Sequence, residues 1–214
     1  GVTQTQFHIN IISHFHIPMN VCYCHSVKRI ALLSLKGGVG KTLSAIAIAQ
    51  LLAARRGKKV SVLDLDPEGS ARAWGHAGGL PFPVVAPWEA LAGDLDFAVL
   101  DTPPNDRKLL IGVAESADAI LLPLRAGEQE IDRLRPTLEA LAGANLKPGA
   151  TLGLIVTDAG RDNLSASMPG VLEAQQLPVY GLVHHSVRYQ RAFGRVLEDE
   201  LLEPYRTILK AARL

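Results

Sequence analysis

The sequence predicts an α/β protein: three layers, α/β/α, around a mostly parallel, twisted sheet of about seven strands. Short apolar runs alternate with helical patterns along the chain. Strand, helix and strand follow one another within about thirty-five residues of Lys28, which implies a right-handed parallel crossover. Two of the apolar runs end in aspartates, the kind of residue that the carboxyl edge of a parallel sheet presents to a ligand.

Composition narrows the class. At 214 residues, 48% hydrophobic and 20% charged, the chain suits one globular domain with a substantial core. No apolar run reaches membrane-spanning length. A net charge of +1 gives no strong field, so nucleic-acid binding would need a local patch.

Residues 1–27 contain no Lys, Arg, Asp or Glu and lack the basic start and cleavage site of a secretory signal. They are expected to form a disordered or foreign extension ahead of a single domain, 28–214, with Met19 as an alternative start. Cys22 and Cys24 are too close for an ordinary disulfide staple, which points to a reducing compartment. With His8, His14, His16 and His25 nearby, a metal site is the competing reading, although C-x-C lacks zinc-finger spacing.

Lys28–Leu35 reads as the first, buried strand. Lys36-Gly37-Gly38-Val39-Gly40-Lys41-Thr42 follows, then a helical pattern over Leu43–Arg56. Strand, glycine loop and helix form a phosphate cradle. The glycines let successive N–H groups turn toward phosphate oxygens, and the helix start adds positive dipole. Lys41 supplies charge to the β and γ phosphates, and the Thr42 hydroxyl can bind Mg²⁺. Leu35 stands where the usual loop has its first glycine, and Lys36 is an added cation at the entrance.

Lys58–Leu65 is the second strand, ending in Asp64-Leu65-Asp66-Pro67-Glu68. Carboxylates at i and i+2 lie on one side of an extended chain, although an Asp-Pro turn would need only one of them. Phe82–Ala86 is an edge-strand candidate. Asp96–Asp101 is a buried run that delivers a carboxylate at its tip, the arrangement that holds Mg²⁺ beside a phosphate loop, and Pro103–Lys108 then becomes a switch loop. Ala119–Leu124, Thr151–Thr157 and Val179–Val183 read as further strands. Glu128–Leu141, Asn163–Gln176 (interrupted by Pro169) and Asp199–Leu214 read as helices. No N-K-x-D guanine-reading element occurs, which favours adenine. His184 and His185 would face opposite ways on a strand and are read as structural. Arg188, Arg191 and Arg195, at spacings of three and four, would share one helix face beside Tyr189. Such a face fits phosphate contacts and a solvated surface equally.

The loop KGGVGKT, the segment DLDPE and the run DFAVLDTPP together resemble the deviant Walker A subgroup of P-loop NTPases, and within it the short ParA-type partition ATPases. The resemblance covers Lys28 to the C-terminus. It implies ATP with Mg²⁺ as cofactors, bound by Lys36, Gly37, Gly38, Val39, Gly40, Lys41, Thr42 and Leu43, with adenine held by backbone near Thr157 and Asp158. Thr42, Asp64 and Asp101 would form the magnesium shell, and Lys36, Lys41 and Asp66 would be catalytic. Lys36, without a role in its own loop, would reach across a face-to-face homodimer to the partner's nucleotide. The resemblance further implies weak ATP hydrolysis stimulated by DNA and by a ParB-type or other small activating protein. It implies non-specific DNA binding through Arg188, Arg191 and Arg195, no membrane recruitment, and a cytoplasmic, nucleoid-associated location serving plasmid, chromosome or other cargo. Glu68 replaces the family's glutamine, and Leu43 stands where a second threonine is frequent. The alternative is an ATP-dependent ligase of the cobyrinic acid a,c-diamide synthase or dethiobiotin synthetase type. The first of these would need a glutaminase cysteine, and no cysteine follows Cys24.

Overall fold

A computed structural model describes residues 27–87 and 94–214. The 1–26 stretch, with Cys22, Cys24 and their neighbouring histidines, lies outside the described residues.

Among the described residues, seven strands form one sheet: β1 Lys28–Leu32, β2 Val60–Asp64, β3 Val84–Val85, β4 Phe97–Asp101, β5 Ala119–Arg125, β6 Thr151–Ala159 and β7 Val179–His184. Every pairing is parallel, and the order across the sheet is β3-β2-β4-β1-β5-β6-β7. All five residues of β2 and of β4 are buried, as expected where helices cover both faces.

One face is covered by α1 Lys41–Ala53, α2 Ser70–His76 and α7 Asp199–Ala211. The other is covered by α3 Arg107–Ser116, α4 Glu128–Ala142 and α5 Asn163–Ala174. A short α6, Val187–Arg191, joins β7 to α7. The three predicted layers are therefore present. Helix α1 has no polar face to speak of, because its run from Ser44 to Ala49 is wholly buried between the sheet and α7. Ser44 Oγ lies 3.3 Å from the hydroxyl of Tyr205, which gives two buried polar atoms one shared hydrogen bond.

The sheet also sets where a ligand goes. After β4 the chain steps across the central β1 to β5, so the winding direction changes beside β1. Crevices at such points, beyond the carboxyl ends of the strands, are where open α/β sheets bind ligands.

Two helices went unread in the sequence. Helix α2 is seven residues long and carries a glycine, too short for a periodicity signal. Helix α3 starts at Arg107, its N-terminus capped by the Asp106 side chain, which accepts a 2.8 Å hydrogen bond from the Leu109 N–H. The expected switch loop over Pro103–Lys108 is shortened accordingly. Helix α5 continues through Pro169, where the sequence suggested an interruption.

Candidate functional site

The glycine loop leaves β1 at the carboxyl edge of the sheet. Gly38 and Gly40 take left-handed φ angles of 70° and 89°, so a side chain at either would strain the backbone. Gly40 is the N-cap of α1, with no side chain capping the helix and no acidic residue in its first turn. The first N–H groups of α1 are thus left without a side-chain cap, the condition under which a helix start receives an anion. Thr157 Oγ1, at the end of β6, lies 2.9 Å from the Val39 carbonyl and 3.1 Å from that of Leu124, and so ties the loop to two neighbouring strands.

Lys41 is buried, and its ammonium donates to the Lys36 carbonyl at 3.0 Å. Burial pushes its pKa below the ordinary lysine value, while Asp101 and Asp66 pull in the other direction. The loop therefore curls around its own cation.

Asp64 and Asp101 are register partners on β2 and β4. Asp101 Oδ2 accepts a 2.7 Å hydrogen bond from the Thr42 hydroxyl, whereas its Oδ1 is buried with no partner. Burial pushes the Asp101 carboxyl up to about 7, with Asp64 adding to the rise and the Thr42 hydrogen bond opposing it. A buried, undonated carboxylate oxygen beside a hydroxyl fits a hard divalent cation completed by phosphate and water. Among the described residues no cluster of three or more His, Cys, Asp or Glu forms a self-sufficient metal centre. Asp64 is fully buried and accepts from the N–H groups of Asp66 (3.1 Å) and Arg72 (2.9 Å), so its oxygens brace the turn. Burial raises its pKa, against those hydrogen bonds.

Asp66 stands half-buried at the mouth of this cluster, its Oδ1 accepting from the Glu68 N–H at 3.0 Å. The Arg72 guanidinium closes over the same turn, 3.5 Å from Asp64 Oδ2 and 3.4 Å from the Asp66 carbonyl. Arg72 was missed in the sequence. The available signal was a cation eight residues past Asp64, just inside a helix too short to be recognised.

Lys36 departs from expectation. Its ammonium is held within its own subunit, 2.5 and 2.7 Å from the two carboxylate oxygens of Glu130 on α4. Arg133 donates to the same carboxylate at 2.7 Å. Burial alone would raise the Glu130 carboxyl, but the bonds from Lys36 and Arg133 outweigh it and leave the group below the ordinary glutamate value. These residues line a cleft of about 470 Å³ with Arg125, Gly127 and Asp158. Nothing local in the sequence connects positions 94 apart. Asp158, at a left-handed φ of 55°, pairs with Arg125 and, at 2.5 Å, with His185 Nδ1. His184 closes β7 and His185 follows it, both exposed.

The three arginines do not share a helix face. Helix α6 ends at Arg191, and Gly194, at φ 78°, turns the chain before Arg195. The cause is tertiary: Trp74 Nε1 donates to the Arg195 carbonyl at 2.9 Å, and its ring packs 5.3 Å from Phe193. A Cβ on Gly194 would come within 2.6 Å of Ala77, so α2 fixes the turn. Arg188 is engaged by Glu198 and Glu200. Arg191 and Arg195 are exposed and have no ion pair among the described residues.

A family model described as the CobQ/CobB/MinD/ParA nucleotide binding domain matches residues 30–197. The chain is 30% identical to the chromosome-partitioning ATPase Soj of Thermus thermophilus over 218 aligned positions, covering 80% of this chain and 87% of Soj. It is 38% identical over 104 residues to the maintenance of carboxysome distribution protein A of Gloeobacter kilaueensis, a match covering 44% of this chain and 47%, about half, of that protein. Among solved structures, ligand-free McdA of Cyanothece superposes with a TM-score of 0.70 at 18% identity, covering 86% of this chain and 99% of McdA, a likeness of fold alone.

Proposed function

The chain belongs to the CobQ/CobB/MinD/ParA nucleotide-binding family, and from that premise we propose that it is an ATP-driven dimerisation switch that positions DNA or another large cargo. The observation that carries this reading is the convergence, at one sheet edge, of Lys41, the Thr42–Asp101 pair with its undonated buried oxygen, and Asp66.

ATP with Mg²⁺ is the nucleotide form that this site suits. Lys41 and the loop amides bind and orient the phosphates. Thr42 and Asp101 would hold the ion, with Asp64 bracing the turn behind them; the ion neutralises charge on the transferring phosphoryl group. Asp66 orients the attacking water. Thr157 fixes the loop, and the backbone near Asp158 bounds the adenine side. Lys36, once it leaves Glu130, contributes its charge to the nucleotide of a second copy, where it stabilises the developing charge of transfer. Two subunits joined in this way bring together two sets of exposed Arg191 and Arg195, which hold DNA through phosphates without reading sequence. A small activating protein of the ParB kind stimulates the turnover, and a cytoplasmic, nucleoid-associated location follows from this reading.

Both sequence relatives named above are positioning or partition proteins, which favours this reading over a ligase of the cobyrinic or dethiobiotin type. Single-turnover ATP hydrolysis, measured with and without duplex DNA, tests it. The expected result is slow release of phosphate that DNA accelerates. ATP consumption appearing only with a carboxylic acid substrate and an amine donor would favour the ligase.

A further inference from the structure

We propose that Glu130 is a positioning residue for Lys36: it holds the lysine inside its own subunit and so sets how much ATP is needed before two copies join. This rests on the reading of Lys36 as a cation lent to the partner. Lys36 cannot serve a partner's phosphate while its ammonium lies 2.5 and 2.7 Å from both Glu130 oxygens. One point charge is wanted in two places.

The contact is built so that it can be released. Glu130 does not become an orphan when Lys36 leaves, because Arg133 still donates to it at 2.7 Å. It also sits three residues past Gly127, in the first turn of α4, where the helix dipole favours a carboxylate. Lysine's flexible stem allows the swing that a bidentate arginine would resist. Meanwhile the free carboxylate would face a cleft that an incoming triphosphate must approach, and like charges there oppose association. Retention and repulsion act in the same direction: both raise the nucleotide requirement. Lys36 is therefore a guarded residue in the free subunit and an available one only after the cleft takes up anionic charge.

The test measures sedimentation velocity across a titration with a non-cleavable ATP analogue and Mg²⁺, on the full chain. Glu130→Gln keeps the side-chain shape and removes the charge; its midpoint for dimer formation should fall by about fivefold or more relative to wild type, the lower end of ordinary coupling between sites. Glu130→Asp keeps the charge but shortens the reach, and should shift the midpoint the same way by a smaller factor. Lys36→Ala should stay monomeric, and Lys36→Ala with Glu130→Gln should match it, because the glutamate acts only through the lysine. Midpoints for both Glu130 variants at or above the wild-type value, with Lys36→Ala monomeric, would overturn the guarding role alone. Dimerisation of Lys36→Ala at the wild-type midpoint would instead contradict the partner-directed lysine, whatever Glu130 does.

Discussion

The phosphate loop and the Arg188–Arg195 segment make an instructive pair. Both were singled out for residue types at fixed spacing, and both lie beyond the carboxyl ends of strands. In the loop, spacing and geometry are nearly the same thing. Gly38 and Gly40 supply left-handed turns that other residues resist, and Lys41 and Thr42 open the helix that follows directly. In the arginine segment, spacing implied a helix that packing stops short. The contacts of Trp74 and Ala77 with residues 193–195 end it, and acidic neighbours at 198 and 200 occupy Arg188. Function encoded in backbone conformation can be read locally. Function encoded in surface charge depends on which neighbours arrive.

The comparison can be broken or sharpened by substitution. Asp66→Ala should lower ATP turnover by about 100-fold or more while leaving nucleotide bound, because the general-base or water-orienting contribution alone is lost. Normal single-turnover rates would remove Asp66 from the chemistry.

Asp101 gives the next largest effect, visible without any nucleotide. Its carboxyl is raised from 3.8 to about 7 by burial, so the folded state holds a proton that the unfolded state has released. The stability this proton confers is fully present below about pH 4 and is lost as pH rises through about 7, on the order of 4 kcal/mol in all. Thermal melts of the nucleotide-free protein should therefore drop between pH 5 and pH 8, and Asp101→Asn should flatten that slope. A wild-type melting temperature that rises over this window would contradict the burial argument.

Lys41→Ala should weaken nucleotide binding by about 10- to 100-fold, the worth of one charge-assisted contact, as isothermal titration would show. The arginines should give the smallest effects, and unequal ones. Arg191→Ala with Arg195→Ala should reduce the slope of log K against log salt for DNA retention by about 2, one unit per phosphate contact. Arg188→Ala should change it less, because that guanidinium is already engaged by Glu198 and Glu200. Equal effects from all three would mean that the ion pairs open on DNA.

Much of the architecture was legible because buried strands announce themselves. The runs ending at Asp64 and Asp101 are apolar throughout, and their tips hold the acids where the parallel sheet requires them. The short edge strand Val84–Val85 was found between prolines for the same reason. Helices α2 and α3 were not, since seven residues and a Pro-Pro entrance give periodicity little room. In the site, the members supplied by contiguous motif were foreseen, and those supplied by folding were not. Glu130 reaches Lys36 across 94 positions, and Arg72 closes over the Asp64–Asp66 turn from a helix that the pattern did not reveal. Amphipathic spacing places Glu130 on a helix but cannot say what stands opposite it.

The central claim is that two copies join around ATP, each lending Lys36 to the other. Light scattering on the wild-type chain and on Lys36→Ala, both saturated with a non-cleavable ATP analogue and Mg²⁺, tests it most directly. The account predicts twice the monomer mass for wild type and the monomer mass for the variant. A wild-type chain that stays monomeric with nucleotide bound would contradict it.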